Sequence, residues 1–140
     1  MKRYKLSLDE LDTLVKDVDA EFKSGVIILQ GDLASGKTTL VKAFATHFNL
    51  SEDEVTSPTF SLQQCYADKL FHYDIYNHGI EHFISLGMLE ELEKDALHLV
   101  EWGDEKLLEI LSMAGIKTLV IKIKKSKDDI REYEVDYAHA

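Results

Sequence analysis

Gly31-Asp32-Leu33-Ala34-Ser35-Gly36-Lys37-Thr38 reads G-x-x-x-x-G-K-[ST] in full. Each residue type in that run has a chemical reason. The glycines admit backbone angles that turn successive N–H groups inward toward phosphate oxygens. A helix opening at the end of the loop aims its positive end at the same point. Lys37 supplies a cation for β- and γ-phosphates, and the Thr38 hydroxyl can ligate Mg²⁺. The segment therefore predicts binding of a nucleoside triphosphate. The competing reading is a chance match, and context decides between them. Such a loop needs a strand before it and a helix after it, and Val26–Gln30 and Thr39–Phe48 supply both patterns.

A phosphate loop also needs a carboxylate at the end of a neighbouring strand to organise Mg²⁺ or water. Two segments have that form, an apolar run followed by an acid: Leu70-Phe71-His72-Tyr73-Asp74 and Leu97-His98-Leu99-Val100-Glu101. On a strand His72, Asp74 and Tyr76 share one face, so His72 is placed to orient Asp74. Glu101 falls where its strand gives way to Trp102-Gly103, at a carboxyl end of the kind that binds ligands in open α/β sheets. Taken singly, each acid reads as a strand cap in solvent. Beside a full phosphate loop the functional reading is favoured. Thr56-Ser57-Pro58-Thr59 places three hydroxyls in four residues around the chain's only proline, as a γ-phosphate-sensing switch would. On spacing alone the ordinary-loop reading of that segment would win.

The elements that must position these groups are legible as periodicity. Ser7 and Glu10 have capping-box spacing, and Leu8, Leu11, Leu14, Val15, Val18 and Phe22 follow at helical period until Ser24-Gly25. Val26–Leu29 is a short buried strand and Lys37–Phe48 a helix. Phe60–Tyr66 and Leu70–Tyr76 flank Ala67-Asp68-Lys69 as a hairpin. Asn77 caps a helix to about Leu92, with Gly87 as its weak point. Leu97–Val100 is a second buried strand, Asp104–Met113 a helix stopped by Gly115, and Lys117–Lys124 with Ile130–Tyr137 a closing antiparallel pair. The expected fold is α/β: a P-loop NTPase-like domain with a mixed parallel and antiparallel central sheet flanked by helices, with residues 1–140 as one domain.

Composition narrows the function classes. With 45% hydrophobic and 30% charged residues the chain has the balance of a globular domain, which excludes disorder. No apolar stretch approaches the roughly 18 residues of a membrane helix, and the start MKRYKLSLDE lacks a secretory signal's apolar region. A net charge of −10 argues against independent nucleic-acid binding. The single cysteine, Cys65, cannot form an internal disulfide, fits a reducing compartment, and reads as a small buried hydrophobe. Lys122, Lys124, Lys125 and Lys127 read as a solvated hairpin tip rather than an RNA contact. Leu86, Leu89 and Leu92 read as core. For Trp102, core filling and a partner-facing role stay open.

In combination the motifs resemble those of the bacterial TsaE (YjeE) family, ATPases of tRNA threonylcarbamoyladenosine biosynthesis. The matching stretches are Gly31-Asp32-Leu33 through Gly36-Lys37-Thr38-Thr39, Ser57-Pro58-Thr59-Phe60, His72-Tyr73-Asp74-Ile75-Tyr76 and Leu99-Val100-Glu101-Trp102. The resemblance implies a small cytoplasmic ATPase using ATP and Mg²⁺. It implies partnership with the TsaD–TsaB complex, and contact with tRNA only through that complex. Gly31, Leu33, Ala34, Ser35, Gly36, Lys37, Thr38 and Thr39 would bind the nucleotide, and Leu11, with Glu10, would lie near the adenine. Thr38 and Glu101 would hold Mg²⁺, and Asp74 would organise water or metal. Asp74, Lys37 and Glu101 make the catalytic set. Ser57, Pro58 and Thr59 would form the switch, with Trp102 coupled to it or to a partner. Two departures stand out: Ala34-Ser35 replaces the family's usual Gly-Ala, and Asn77 its usual Arg.

Arginines are scarce: only Arg3 and Arg131 occur. An arginine finger is worth roughly 10³–10⁵ in phosphoryl-transfer rate, so slow intrinsic hydrolysis, raised by a partner, is expected. The same scarcity weighs against a small-molecule kinase, the main alternative. A GTPase lacks its N-K-x-D element here, and a non-catalytic nucleotide sensor would use the same loop; substituting Asp74 or Glu101 separates it from an enzyme, in which hydrolysis should collapse while ATP still binds. His78-Gly79-Ile80-Glu81-His82 matches an inverted zinc-protease pattern, but Gly79 sits poorly in the helix such a site needs, and no zinc is expected.

Overall fold

The structure is a computed structural model that describes residues 1–32, 36–50, 63–67, 69–75 and 79–140. Leu33, Ala34, Ser35, Ser57, Pro58, Thr59, Tyr76, Asn77 and His78 lie outside the described residues, and so does the first part of the strand expected from Phe60.

In chain order the elements are β1 (Lys2–Leu6), a 3₁₀ turn (Leu8–Glu10), α1 (Leu11–Glu21), β2 (Gly25–Gln30) and α2 (Lys37–His47). Then come β3 (Gln63–Tyr66), β4 (Leu70–Asp74), α3 (Gly79–Ser85), α4 (Met88–Glu91) and β5 (Leu97–Glu101). The chain closes with α5 (Glu105–Met113), β6 (Thr118–Lys125) and β7 (Arg131–Asp136). The strands form one seven-stranded sheet in the order β1-β7-β6-β2-β5-β4-β3. β4, β5, β2 and β6 pair in parallel, while β3, β7 and β1 add antiparallel hairpins and edges. This is the expected mixed sheet of a P-loop NTPase fold. The connection from β5 through α5 to β6 passes over β2, so β2 lies at the sheet's switch point, where such folds open a crevice.

Alternation along the central strands makes two cores. Ile27, Leu29, Leu99, Leu119 and Ile121 face α1 and α2, which bury Leu14, Val18, Leu40 and Phe44 against them. Val26, Ile28, Val100 and Val120 face the opposite way, against Ile80, Phe83, Leu107 and Leu111. Strands covered on both faces read as continuous apolar runs, which is why Val26–Leu29 and Leu97–Val100 were recognisable.

Several sequence expectations need correction. β1 escaped notice because Lys2, Arg3 and Lys5 are polar positions on an edge strand; only Leu6 is buried. The first helix opens as a 3₁₀ turn, and the Glu10 carboxylate accepts from the Ser7 amide (2.9 Å) and hydroxyl (3.0 Å). The helix expected up to Leu92 breaks into α3 and α4 at Gly87, whose φ of +76° an L side chain adopts at a cost. That break leaves Leu86 exposed, while Leu89 and Leu92 pack on the second core. Cys65 is exposed, not buried, because β3 is an edge strand.

Lys122 and Lys124 are not at a hairpin tip. They stand in β6 opposite Glu134 and Glu132, which in turn stand opposite Arg3 and Lys5. Two rows of alternating charge thus face solvent, with Arg3–Glu134 at 3.3 Å and Lys5–Glu132 at 3.6 Å. Among the described residues no helix is long and apolar enough to cross a membrane.

Candidate phosphate and metal site

The site forms where β2 ends and α2 begins. Gly36 has φ +103°, a left-handed conformation that favours glycine, and a Cβ placed there would meet nothing within 4 Å among the described residues. Its carbonyl accepts the first helical bond, from Leu40 N at 3.0 Å. The opening turn of α2 therefore presents its N–H groups to the crevice, with the helix dipole favouring an anion there.

Lys37 starts α2 and is only 3% exposed. Its ammonium donates to the carbonyl oxygens of Gly31 (2.7 Å) and Asp32 (2.8 Å) and lies 3.9 Å from the centre of the Trp102 ring. Burial pushes this lysine below its usual value, and the charges of Glu101, Asp32 and Asp74 oppose that shift. A buried cation so held is costly to desolvate and gains most from an anionic ligand.

Glu101 ends β5, the neighbour of β2, directly opposite Leu29 in register. It is 3% exposed, which rules out a strand cap in solvent. The Thr38 hydroxyl donates to its carboxylate, 3.1 Å to Oε2 and 3.4 Å to Oε1. His72 Nε2 also contacts Glu101 Oε2, from one strand further out. The sequence paired His72 with Asp74 on one strand face; the imidazole instead contacts Glu101. Parallel register sets Asp74 opposite Glu101 and His72 opposite Leu99, so the ring reaches Glu101 diagonally, one strand across and two residues along. Among the described residues His72 Nδ1 has no hydrogen-bond partner. Asp74, half-buried, closes the same row of strand ends.

Thr38 and Glu101 offer hydroxyl and carboxylate oxygens, the hard donors that Mg²⁺ takes, and that ion ordinarily needs only one or two protein oxygens besides phosphate and water. The donor set fits the ion. Among the described residues no group of three or more His, Cys, Asp or Glu could hold a metal, as a closed structural site would require.

Trp102 follows Glu101 with φ +68°, rare for a bulky residue and a local cost of about 1–3 kcal/mol. Two bonds tie this turn to β2: Trp102 N to Leu29 O (3.4 Å) and Gln30 Nε2 to Gly103 O (3.3 Å). The result is an indole ring laid against the Lys37 ammonium.

Gly36, Lys37, Thr38, Thr39, Glu101 and Arg131, with Leu8, line one cavity of about 290 Å³. A second hollow of about 400 Å³ runs between the 3₁₀ turn, α1 and α2; Leu8, Leu11, Thr39, Ala43 and His47 are among its walls. Arg131 is the residue that sequence reasoning missed. The arginine count pointed to no second cation at the loop, yet the first position of β7 brings Arg131 into the cavity wall. No local signal could have found it, because 94 residues separate Lys37 from Arg131 and only the sheet order joins them.

The sequence matches the family described as "Threonylcarbamoyl adenosine biosynthesis protein TsaE" over residues 6–133. The tRNA threonylcarbamoyladenosine biosynthesis protein TsaE of Treponema pallidum is 34% identical over 116 residues, which are 81% of this chain and 82% of the relative. The protein of the same name from Bacillus subtilis is 35% identical over 131 residues, 89% of this chain and 77% of the relative. Among solved structures, the crystal structure of Bacillus subtilis YdiB superposes with a TM-score of 0.67 at 29% identity, covering 98% of this chain and 87% of that one.

Proposed function

The chain belongs to the TsaE family of tRNA threonylcarbamoyladenosine biosynthesis, and from that membership together with the site geometry we propose that it is an ATP-hydrolysing protein acting with Mg²⁺ on the TsaD–TsaB complex. The observation that carries the reading is the Thr38–Glu101 hydrogen bond across a crevice that also holds the buried Lys37.

In this reading the loop from Gly31 to Thr39 cradles the phosphates, and Lys37 leaves the Gly31 and Asp32 carbonyls for β- and γ-phosphate oxygens. Thr38 and Glu101 would hold Mg²⁺, which would neutralise charge developing on the phosphates. Asp74, at the next strand end, would orient the attacking water. Leu11 and its neighbours along α1 would receive the adenine. Ser57, Pro58, Thr59 and Trp102 would couple the γ-phosphate to the partner. Contact with tRNA would come only through TsaD–TsaB, in the cytoplasm.

The test is co-purification of the chain with TsaD–TsaB in ATP, ADP or no nucleotide, with phosphate release followed in parallel. Association that depends on the nucleotide, with slow phosphate release that rises when the complex is added, supports the proposal. Glu101→Gln should abolish most turnover and still bind ADP. Association indifferent to nucleotide, or phosphate transfer to a metabolite rather than water, overturns it.

A further inference from the structure

We propose that the outer edge of β1 receives an extended acidic segment of a partner protein, added to the sheet as a further strand with carboxylates at alternate positions. The inference is independent of the ATP-binding reading above.

β1 stands at one end of the sheet order, and among the described residues no strand pairs with its outer side. A sheet edge offers a row of backbone donors and acceptors to a further strand. The opposite face of β1 is tied down. The Lys2 ammonium donates to Glu21 (3.1 Å) and the Tyr4 hydroxyl to Asp17 (2.8 Å), both on α1, and Leu6 is buried in the core. An edge fixed in this way loses little freedom when a strand is added to it.

Charge defines the occupant. On the open face each row reads cation, acid, cation: Lys122, Glu134, Arg3 and, beside it, Lys124, Glu132, Lys5. Each glutamate stands between two cations. Arg3 and Lys5 have their acid on the inner side, at 3.3 Å and 3.6 Å, and none beyond them. Exposure records the difference: the Arg3 and Lys5 side chains are 76% and 74% exposed, their glutamates 39% each. A strand added about 4.8 Å further out would continue the alternation with one carboxylate opposite Arg3 and another opposite Lys5. Those cations lie two residues apart on one face, so the acids must as well. Two other occupants fit worse. A second copy pairing antiparallel about Tyr4 sets Arg3 against the copy's Lys5, and a shift of two residues sets Arg3 against Arg3 or Lys5 against Lys5; like charges directly opposite repel. A polyphosphate laid on the face would meet Glu132 and Glu134 one strand in, on a chain of net charge −10.

The test uses the unaltered protein and the blocked peptide Ser-Thr-Glu-Thr-Glu-Thr-Ser. Three control peptides carry lysine for both glutamates, the two glutamates at adjacent positions, or N-methyl groups along the backbone. Amide hydrogen exchange read by mass spectrometry should slow about tenfold across Lys2–Leu6 with the acidic peptide in excess, and the controls should leave it nearly unchanged. No protection by the acidic peptide at millimolar concentration, or equal protection by any of the three controls, overturns the proposal. Protection that rises with protein concentration in the absence of peptide would give the edge to a second copy, and protection by a single-stranded RNA oligomer but not by the peptide would give it to nucleic acid; either result overturns it.

Replacing both cations, Arg3→Gln with Lys5→Gln, should weaken binding of the fluorescein-labelled acidic peptide by about tenfold in anisotropy titrations, the loss expected for two cross-strand charge pairs. Raising the salt from 0.05 M to 0.5 M should weaken the wild-type interaction in the same direction, because these charges are exposed. Peptide affinity unchanged by the double substitution would show that charge does not select the strand, and would overturn the proposal.

Discussion

The Lys37 ammonium and the Trp102 indole stand face to face, 3.9 Å from nitrogen to ring centre, while the same ammonium donates to the Gly31 and Asp32 carbonyls. A cation over an indole face is worth about 0.5–2 kcal/mol. A phosphate competes for that cation through full charge, so binding should draw the ammonium away from the ring.

Trp102 is the one tryptophan in the chain, so its emission reports on that exchange. Titration with MgADP should shift tryptophan emission in parallel with the heat of binding, and Lys37→Ala should remove the shift. Binding seen by calorimetry with unchanged emission would show that Lys37 stays on the ring.

His72 acts on Glu101 rather than on substrate, so it is a positioning residue. His72→Asn should lower Mg²⁺-dependent ATP turnover by about 10–100-fold, the usual effect of losing a partner behind a metal ligand. ADP affinity without metal should hardly move. The variant should also lose about 1–3 kcal/mol of stability, because a buried carboxylate loses a partner. Full turnover at normal Mg²⁺ dependence would show that Thr38 alone orients Glu101.

His98 gives the fold a pH dependence. It is fully buried, its Nδ1 paired with the Tyr73 hydroxyl at 2.7 Å and its Nε2 with the Lys94 carbonyl at 2.9 Å. Burial pushes its imidazole below the usual histidine value, against opposing pulls from the Lys94 carbonyl and Glu91. The unfolded chain then takes up a proton that the folded chain refuses. This contribution is fully present above about pH 6.5 and is lost as pH falls below it. Urea midpoints of wild type should decline from about pH 6.5 downward, and His98→Leu should flatten that slope whatever it does to the midpoint at pH 8. An unchanged slope in the variant would assign the decline to other groups.

Gly103 is required for space. A Cβ there would lie 2.8 Å from Ile28 Cγ2 and 3.0 Å from Leu107 Cδ2, with no positive φ to relieve. Gly103→Ala should cost about 1–3 kcal/mol by overpacking, read as a lower urea midpoint. Because Gly103 supports the turn that carries Trp102, the emission change on MgADP should shrink with it. A neutral substitution would mean that β2 and α5 yield easily at this point.

Local patterns carried much of the fold. Val26–Leu29 followed by Gly31 to Thr38 marks strand, loop and helix because the side-chain period and the glycine positions are written in consecutive residues. Helix α5 is equally explicit: Asp104 caps it by accepting from Leu107 N at 3.0 Å, and Gly115 ends it at φ +73°. β1 was illegible because an edge strand with one buried residue has no apolar run to show. Cys65 was misread for the same reason, since a short β run does not say whether another strand covers its outer side.

What the sequence by itself determined is the chemistry available: a phosphate loop, two acids after apolar runs, and one tryptophan beside an acid. Those signals are short-range, set by residue type and spacing along the backbone. What only the tertiary structure decided is who meets whom. The parallel register of β4 and β5 turned His72 toward Glu101 and set Asp74 opposite it, and the order β1-β7-β6-β2 carried Arg131 to the rim of a loop nearly a hundred residues earlier. Strand order is a property of two packed cores closing on both faces of one sheet, and no single stretch of chain contains it.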